Sequence, residues 1–341
     1  MEGKGSLKKK PVLLHYYITN RCNSRCTFCL IWQERPKFDA EIGDVEQNLK
    51  AAWNAGCSFV DFTGGEPLLH KDLPAFLEIA KKIGFMTSVT TNCILFPKRA
   101  AQLAGKVDLL HFSLDADTRE LHDTIHGVKS FNQVIESISI AKKYQLTPDL
   151  LFSYSNENID HFSGIADIAE KNRIIVILDP IFALSGPEVI SQATHEKAKQ
   201  WSRKRGVYLN AAHLKLRSQG GNHIREPICR SVETVVVILP DNKLALPCYH
   251  HRSLCVPIKG KLNELLISST WSDAHKKQGT YGFCEYCHIN CYFDPSYTHL
   301  KNDFFWLSMK AKLKYSIDKY IWYSNSLPIT ILRTIFRKKS Q

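Results

Sequence analysis

The feature that most restricts the fold is an unbroken alternation of strand-like and helix-like segments over the first half of the chain. Residues 12–19 are rich in β-branched and aromatic side chains and read as a buried strand. Residues 44–56 follow, with Val45, Leu49, Ala52 and Trp53 at helical spacing. Strands are then predicted over 58–62, 87–92, 107–114, 149–155 and 174–178. Helices over 73–83, 97–104, 131–144 and 161–171 separate them. Such alternation describes parallel βαβ units in an α/β fold. Six strands by residue 178 suit a doubly wound sheet or a barrel, and spacing does not choose between them. In either, ligands gather at the C-terminal strand ends.

The loop after the first strand carries Cys22, Cys26 and Cys29 as C-x3-C-x2-C. Three clustered thiolates can converge on one centre, and soft sulfur favours zinc, copper(I) or iron–sulfur. They are one ligand short of a closed zinc site or an electron-transfer cubane. A zinc knuckle completed from elsewhere and a cluster with one open iron both fit. The second strand ends in Thr63-Gly64-Gly65-Glu66-Pro67, where glycines permit close backbone approach.

Together, the cysteine triplet and Gly64-Gly65-Glu66-Pro67 resemble the cluster and GGEP motifs of the radical S-adenosylmethionine (radical SAM) superfamily. The resemblance implies a partial (β/α)6 TIM-like barrel in which Cys22, Cys26 and Cys29 hold a 4Fe–4S cluster. It implies that the open iron chelates S-adenosyl-L-methionine, that Gly64, Gly65, Glu66 and Pro67 bind its methionine end, and that Phe28 lies against adenine. Ser113 and Asp115 form the S-x-D that often lines the SAM pocket in the family. Thr91, Asn92 and Ser153 or Ser155 sit at strand ends as candidate partners of the ribose or carboxylate, or as ordinary strand caps. The segment from His122 to Gly127 resembles the family's H-D-x-I-R-G with His126 in place of arginine, and both histidines read as structural. Cys57 and Cys93 lack partners at ligand spacing and read as small buried hydrophobes.

A second cysteine-rich stretch begins at Cys229. Residues 235–239 and 244–246 read as a hairpin, which brings Cys229 and Cys248 together. Cys255 follows, then Cys284 and Cys287 as C-x2-C, then Cys291. This stretch resembles the auxiliary-cluster unit of the superfamily in its short twitch form, related to SPASM. The expected ligands of a second 4Fe–4S centre are Cys229, Cys248, Cys284 and Cys287, with Cys291 the first substitute. A zinc ribbon is the alternative, since tetrahedral sulfur suits either. The expected domains are residues 11–221, the radical SAM barrel; 222–300, the auxiliary unit; and 301–341, a basic amphipathic helical tail.

The formal net charge is +12, and residues 301–341 contribute nine Lys or Arg against two Asp. On a helical period Trp306, Met309, Leu313, Ile317 and Tyr320 share one face, and a second short helix is expected from Pro328. A basic amphipathic tail suits peripheral contact with the inner face of a membrane; the alternative is a cap on the barrel. No nucleic-acid partner is expected, because the charge is terminal rather than grooved into the body. No export segment precedes residue 11, which points to a cytoplasmic protein with metal-binding rather than disulfide cysteines. Within the resemblance, the enzyme cleaves SAM reductively to a 5′-deoxyadenosyl radical, fed by a flavodoxin- or ferredoxin-type donor. The tail directs the expectation toward a lipid-like or other membrane-associated small molecule. A ribosomally made peptide is the second reading, and a non-enzymatic Fe–S or zinc module the third.

Overall fold

The alternating pattern folds as its periodicity dictates. The computed structural model describes residues 10–184 and 186–323. Strands β1 (Leu13–Thr19), β2 (Phe59–Gly64), β3 (Met86–Thr91), β4 (Leu109–Ser113), β5 (Asp149–Tyr154), β6 (Val176–Pro180) and β7 (Val207–Tyr208) lie side by side, all parallel. Helices α1 (Ile42–Ala55), α2 (Leu73–Ile83), α3 (Phe96–Leu103), α4 (Arg119–His126), α5 (Phe131–Lys143), α6 (Phe162–Asn172) and α7 (Gln192–Trp201) connect them. Side chains alternate across each strand. On one face Leu14, Tyr16, Ile18, Val60, Phe62, Val89, Phe112 and Phe152 are wholly buried against helix residues such as Leu49, Phe76 and Phe162. Each such side chain contributes roughly 1.5–3 kcal/mol of burial. The other face is polar: His15 meets Asp61 at 3.3 Å, and Thr90 meets His111 at 3.4 Å. That polar face is the one turned away from the helix layer.

Beyond α8 (Ala211–Ser218) and α9 (Ser231–Thr234), β8 (Val235–Ile238) pairs in parallel with β1, aligning Val235 with Leu13. The predicted hairpin forms as β8 and β9 (Lys243–Leu246), and β10 (Leu254–Pro257) adds an antiparallel edge. The cysteine-rich stretch therefore extends the barrel sheet, in the order β10-β9-β8-β1-β2-β3-β4-β5-β6-β7. The result is a mixed sheet of the partial (β/α) barrel type, followed by α10 (Leu262–Leu265), α11 (Ser269–Lys277), α12 (Asn290–Tyr297) and α13 (Asp303–Ile317). A second core joins Tyr17 of β1 to Leu216, Val237, Tyr249, Tyr292 and Phe293.

The C-terminal helix packs through a mixed face: Phe304 joins the second core and Ala311 is buried, while polar groups make specific bonds. Ser308 accepts from Asn210 at 3.3 Å, and Lys314 donates to the carbonyls of Lys204 and Val207, both at 2.9 Å. Just past α13, Asp318 accepts from the Gly206 amide at 3.0 Å, and buried Lys319 reaches Asp149 at 2.7 Å. Tyr315 donates to the same carboxylate at 2.6 Å. Trp306, Met309, Leu313 and Ile317 of the expected stripe face solvent, while Tyr320 is half-buried. The helix expected from Pro328 lies outside the described residues. Among the described residues no helix is long and apolar enough to cross a membrane.

Candidate active site and its two cysteine groups

The cysteine loop leaves the C-terminal end of β1, and backbone contacts from two directions shape it. On one side Gly65 and Glu66 donate to the carbonyls of Thr19 and Arg21 at 2.9 and 2.8 Å. A Cβ on Gly64 or Gly65 would overlap those same carbonyl groups, and Gly64 holds φ at 139°. The glycine pair is thus required for the GGEP segment to lie against the start of the cysteine loop. On the other side, the amides of Arg25 and Thr27 donate to the carbonyls of His126 and Ile125 at the end of α4, at 2.9 and 3.0 Å.

Glu66 is buried and fully engaged. Its carboxylate accepts from the Leu68 amide at 3.0 Å, the Thr91 hydroxyl at 2.8 Å and the Asn92 amide at 2.9 Å. Asn92 in turn donates to Asn23 and Ser24 inside the cysteine loop, both at 2.8 Å. Burial raises the Glu66 pKa, and the donors oppose that rise. Pro67 opens the short 3-10 turn that Glu66 caps. Phe28 is exposed between Cys26 and Cys29. Ser113 and Ser153 are half-buried at the ends of β4 and β5.

Asp115 is a buried junction: it accepts from the Ser153 amide at 2.6 Å and lies 2.8 Å from His126 Nε2. The other ring nitrogen of His126 lies 3.6 Å from Cys26 Sγ. Asp115, His126 and Cys26 therefore form a line from the sheet to the loop. His122 stacks on His126 at 4.1 Å and accepts from the Asp115 amide at 3.2 Å. The sequence signal for this line was the histidine at the arginine position, but its partners lie far away in the chain.

Burial raises the thiol pKa values of Cys22, to about 11, and of Cys26 and Cys29. Thiols so disfavoured as free anions are stabilised as thiolates by a bound cation. Among the described residues no three Cys, His, Asp or Glu side chains stand close enough to hold a single metal ion.

The second group is assembled by Asn222, a wholly buried residue within a stretch that reads only as a glycine-rich loop. Its side-chain oxygen accepts from the amides of Ile228 and Cys229 at 3.0 and 3.2 Å, and its side-chain nitrogen donates to the carbonyls of Gly279 and Cys284. Its backbone bonds Tyr286 and Cys287, both at 2.8 Å. Cys229, Cys248, Cys284 and Cys287 feel one another's charge, and burial pushes Cys248 and Cys284 up to about 12. Cys291 stands apart. Burial and then the carboxylates of Asp179 and Asp61, from the polar face of the sheet, push its thiol pKa up to about 12. Cys255 lies on β10, opposite Ala245. Cys57 and Cys93 are buried in the main core, as small hydrophobes.

Aromatic contacts span the distance between the two groups. Tyr17 stacks on Tyr249, the residue after Cys248, at 3.7 Å and 5°. The Tyr249 amide donates to Tyr292, and its hydroxyl donates to Glu34 close to the cysteine loop, at 2.7 and 2.8 Å. Asp179, at the end of β6, accepts from Asn290 at 2.8 Å, and burial raises its pKa to about 6.

Residues 16–169, from β1 into α6, match the Radical SAM superfamily. The chain carries a radical SAM core. Its second cysteine group resembles the SPASM and twitch regions of radical SAM peptide maturases. The Fe-coproporphyrin III synthase of Methanosarcina barkeri is 25% identical over 193 residues, covering 55% of this chain and 48% of that protein. A probable GTP 3',8-cyclase of Saccharolobus islandicus is 36% identical over 139 residues, 40% of this chain and 45% of that protein. The chain spans about half the length of the curated relatives it matches. Streptococcus suis SuiB bound to its precursor peptide SuiA shares the fold at a TM-score of 0.65 and 17% identity, over 86% of this chain and 74% of that one. The protein anSMEcpe with bound AdoMet and Kp18Cys peptide does so at 0.62 and 15%, over 91% and 98%. These structures overturn the expectation of a lipid-like or membrane-associated small-molecule substrate: two proteins that share the fold were each solved with a peptide bound. The described part of the tail that prompted that expectation, residues 301–323, is held to the barrel through Lys319 and Tyr315.

Proposed function

We propose that the protein is a radical SAM enzyme that modifies a ribosomally made peptide. The observation that carries this reading is that β8 pairs with β1, which draws the strands flanking the second cysteine group into the same sheet whose β1 leads to the first. The shared fold of SuiB with its precursor peptide supports it. Cys22, Cys26 and Cys29 would hold the SAM-binding 4Fe–4S cluster, and Cys229, Cys248, Cys284 and Cys287 an auxiliary 4Fe–4S centre. When bound, the cluster and SAM supply an electron and a carbon radical able to take hydrogen from substrate.

This chain's residues do the holding and shaping. Glu66 and Asn92 fix the loop that presents the thiols, and His126, backed by Asp115, contacts Cys26. Gly64, Gly65, Pro67, Phe28, Thr91, Ser113 and Ser153 surround the loop as the cofactor wall. Asp179, at the end of β6 and with its raised pKa, can hold a proton for a substrate group. The reading places the protein in the cytoplasm, with a ferredoxin- or flavodoxin-type donor.

The test uses anaerobically reconstituted protein, SAM, dithionite and short peptides encoded beside its own gene. Production of 5′-deoxyadenosine together with a mass change in one peptide is expected, and Cys26→Ala should abolish both. Undiminished 5′-deoxyadenosine from Cys26→Ala refutes the cluster assignment. SAM cleavage that leaves every such peptide unaltered, with deuterium entering a non-peptide compound instead, refutes the substrate class. A variant without Cys22, Cys26 and Cys29 should still bind about four irons, as one cubane requires; zinc without iron there would indicate a structural ribbon.

A further inference from the structure

The C-terminal helix is inverted relative to an ordinary surface helix, which buries its apolar stripe. Here the inward face, which holds Phe304 and Ala311, is locked by polar bonds to Asn210, Asp149 and the Gly206 amide. Trp306, Leu313 and Ile321 are 70, 62 and 60% exposed, and Met309, Ile317 and Trp322 are exposed with them. Trp306, Met309, Leu313 and Ile317 recur at helical spacing as one ridge about 17 Å long on α13, and Ile321 and Trp322 follow in the π-helical turn after it. The ridge cannot rotate into the core without breaking the buried Lys319–Asp149 pair.

We propose that this ridge is a docking surface for an anionic lipid bilayer. Two observations favour lipid over another protein. Exposed Lys310 lies on α13 and exposed Lys301 just before it, and Arg205 packs over the Trp322 ring at 4.0 Å. The chain then continues from the end of the ridge into residues 324–341, which hold Arg333, Arg337, Lys338 and Lys339 and no acidic residue. Apolar side chains enter the headgroup boundary while nearby cations meet lipid charge. A bilayer contact serves any substrate, so its failure leaves the peptide reading standing.

The test is co-sedimentation of full-length reconstituted protein with phosphatidylcholine vesicles, with and without 30 mol% phosphatidylglycerol, at about 0.15 M salt, where exposed charges are screened beyond roughly 8 Å. Binding to the phosphatidylglycerol vesicles alone is expected. The double variant Leu313→Glu/Ile317→Glu should bind at least tenfold more weakly with its unfolding midpoint unchanged. Removal of 324–341 should weaken binding and steepen what remains toward apolar dependence. Vesicle binding that survives Leu313→Glu/Ile317→Glu overturns the proposal. So does a full-length protein that ignores vesicles: a lowered unfolding midpoint in the double variant would then show that the chain's own tail covers the ridge. A dimer that the double variant dissociates would show that a second copy does.

Discussion

Removal of the Glu66 carboxylate should expose how the GGEP segment supports the cysteine loop. Two of its three donors are backbone amides, Leu68 and Asn92, neither of which can turn to find another partner. The third, the Thr91 hydroxyl, can rotate. Leaving a buried donor unpaired costs about 1–3 kcal/mol. Glu66→Ala should therefore destabilise the protein by about 2–6 kcal/mol from the two amides, with a cavity cost added. In Glu66→Gln one oxygen remains for Leu68 and Thr91, while the new amide group faces the Asn92 N–H. That variant should lose one bond, about 1–3 kcal/mol. Urea unfolding of the metal-free, reduced protein measures both, through the shift in midpoint at constant slope. Because Asn92 also ties Asn23 and Ser24, SAM affinity of the reconstituted variants should fall in the same order. A Glu66→Gln variant within 0.5 kcal/mol of the parent, or less stable than Glu66→Ala, would refute the bracing role; both limits are set by the roughly 1–3 kcal/mol cost.

Two further outcomes follow from buried charges. Lys319→Met leaves Asp149 with Tyr315 and, at 3.8 Å, His111, and should cost about 3–5 kcal/mol in urea unfolding; added Asp149→Asn should recover most of it, and a single-variant cost below about 1 kcal/mol, under the range for a broken buried pair, refutes the role of the pair. His122 is held neutral, its pKa lowered from 6.5 to about 3 by burial and then by His126. The unfolded chain takes up that proton below pH 6.5 and the folded one does not until about 3, so stability falls as pH drops through this window. By pH 5 the loss is about 2 kcal/mol, and His122→Gln should remove that share of the slope; an unchanged slope in the variant contradicts it.

Local sequence determined the elements themselves. Period-two and period-3.6 patterns are properties of short windows, so β1 to β6 and their helices lie close to where the pattern puts them. The cysteine loop and Gly64-Gly65 were legible for a related reason: strand ends and glycines mark where backbone can approach backbone. The hairpin near Cys248 was visible in the same way. What the tertiary structure alone decided are pairings between distant residues. Parallel β8 on β1 merges the cysteine-rich stretch into the barrel sheet, and no local signal encodes that edge. Asn222 clasps Cys229 to the Cys284–Cys287 loop through bonds to residues about sixty positions away, and His126 meets Cys26 across a hundred. Cys291 shares the cysteine-rich stretch yet feels the charge of Asp179 and Asp61 on the polar face of the sheet. The orientation of α13 depended most on remote partners. Its periodicity announced an apolar face, but buried Asp149, Asn210 and the Gly206 amide needed polar partners more than the core needed another leucine. An unpaired buried carboxylate costs more than an exposed leucine, so the face carrying those polar partners turned inward.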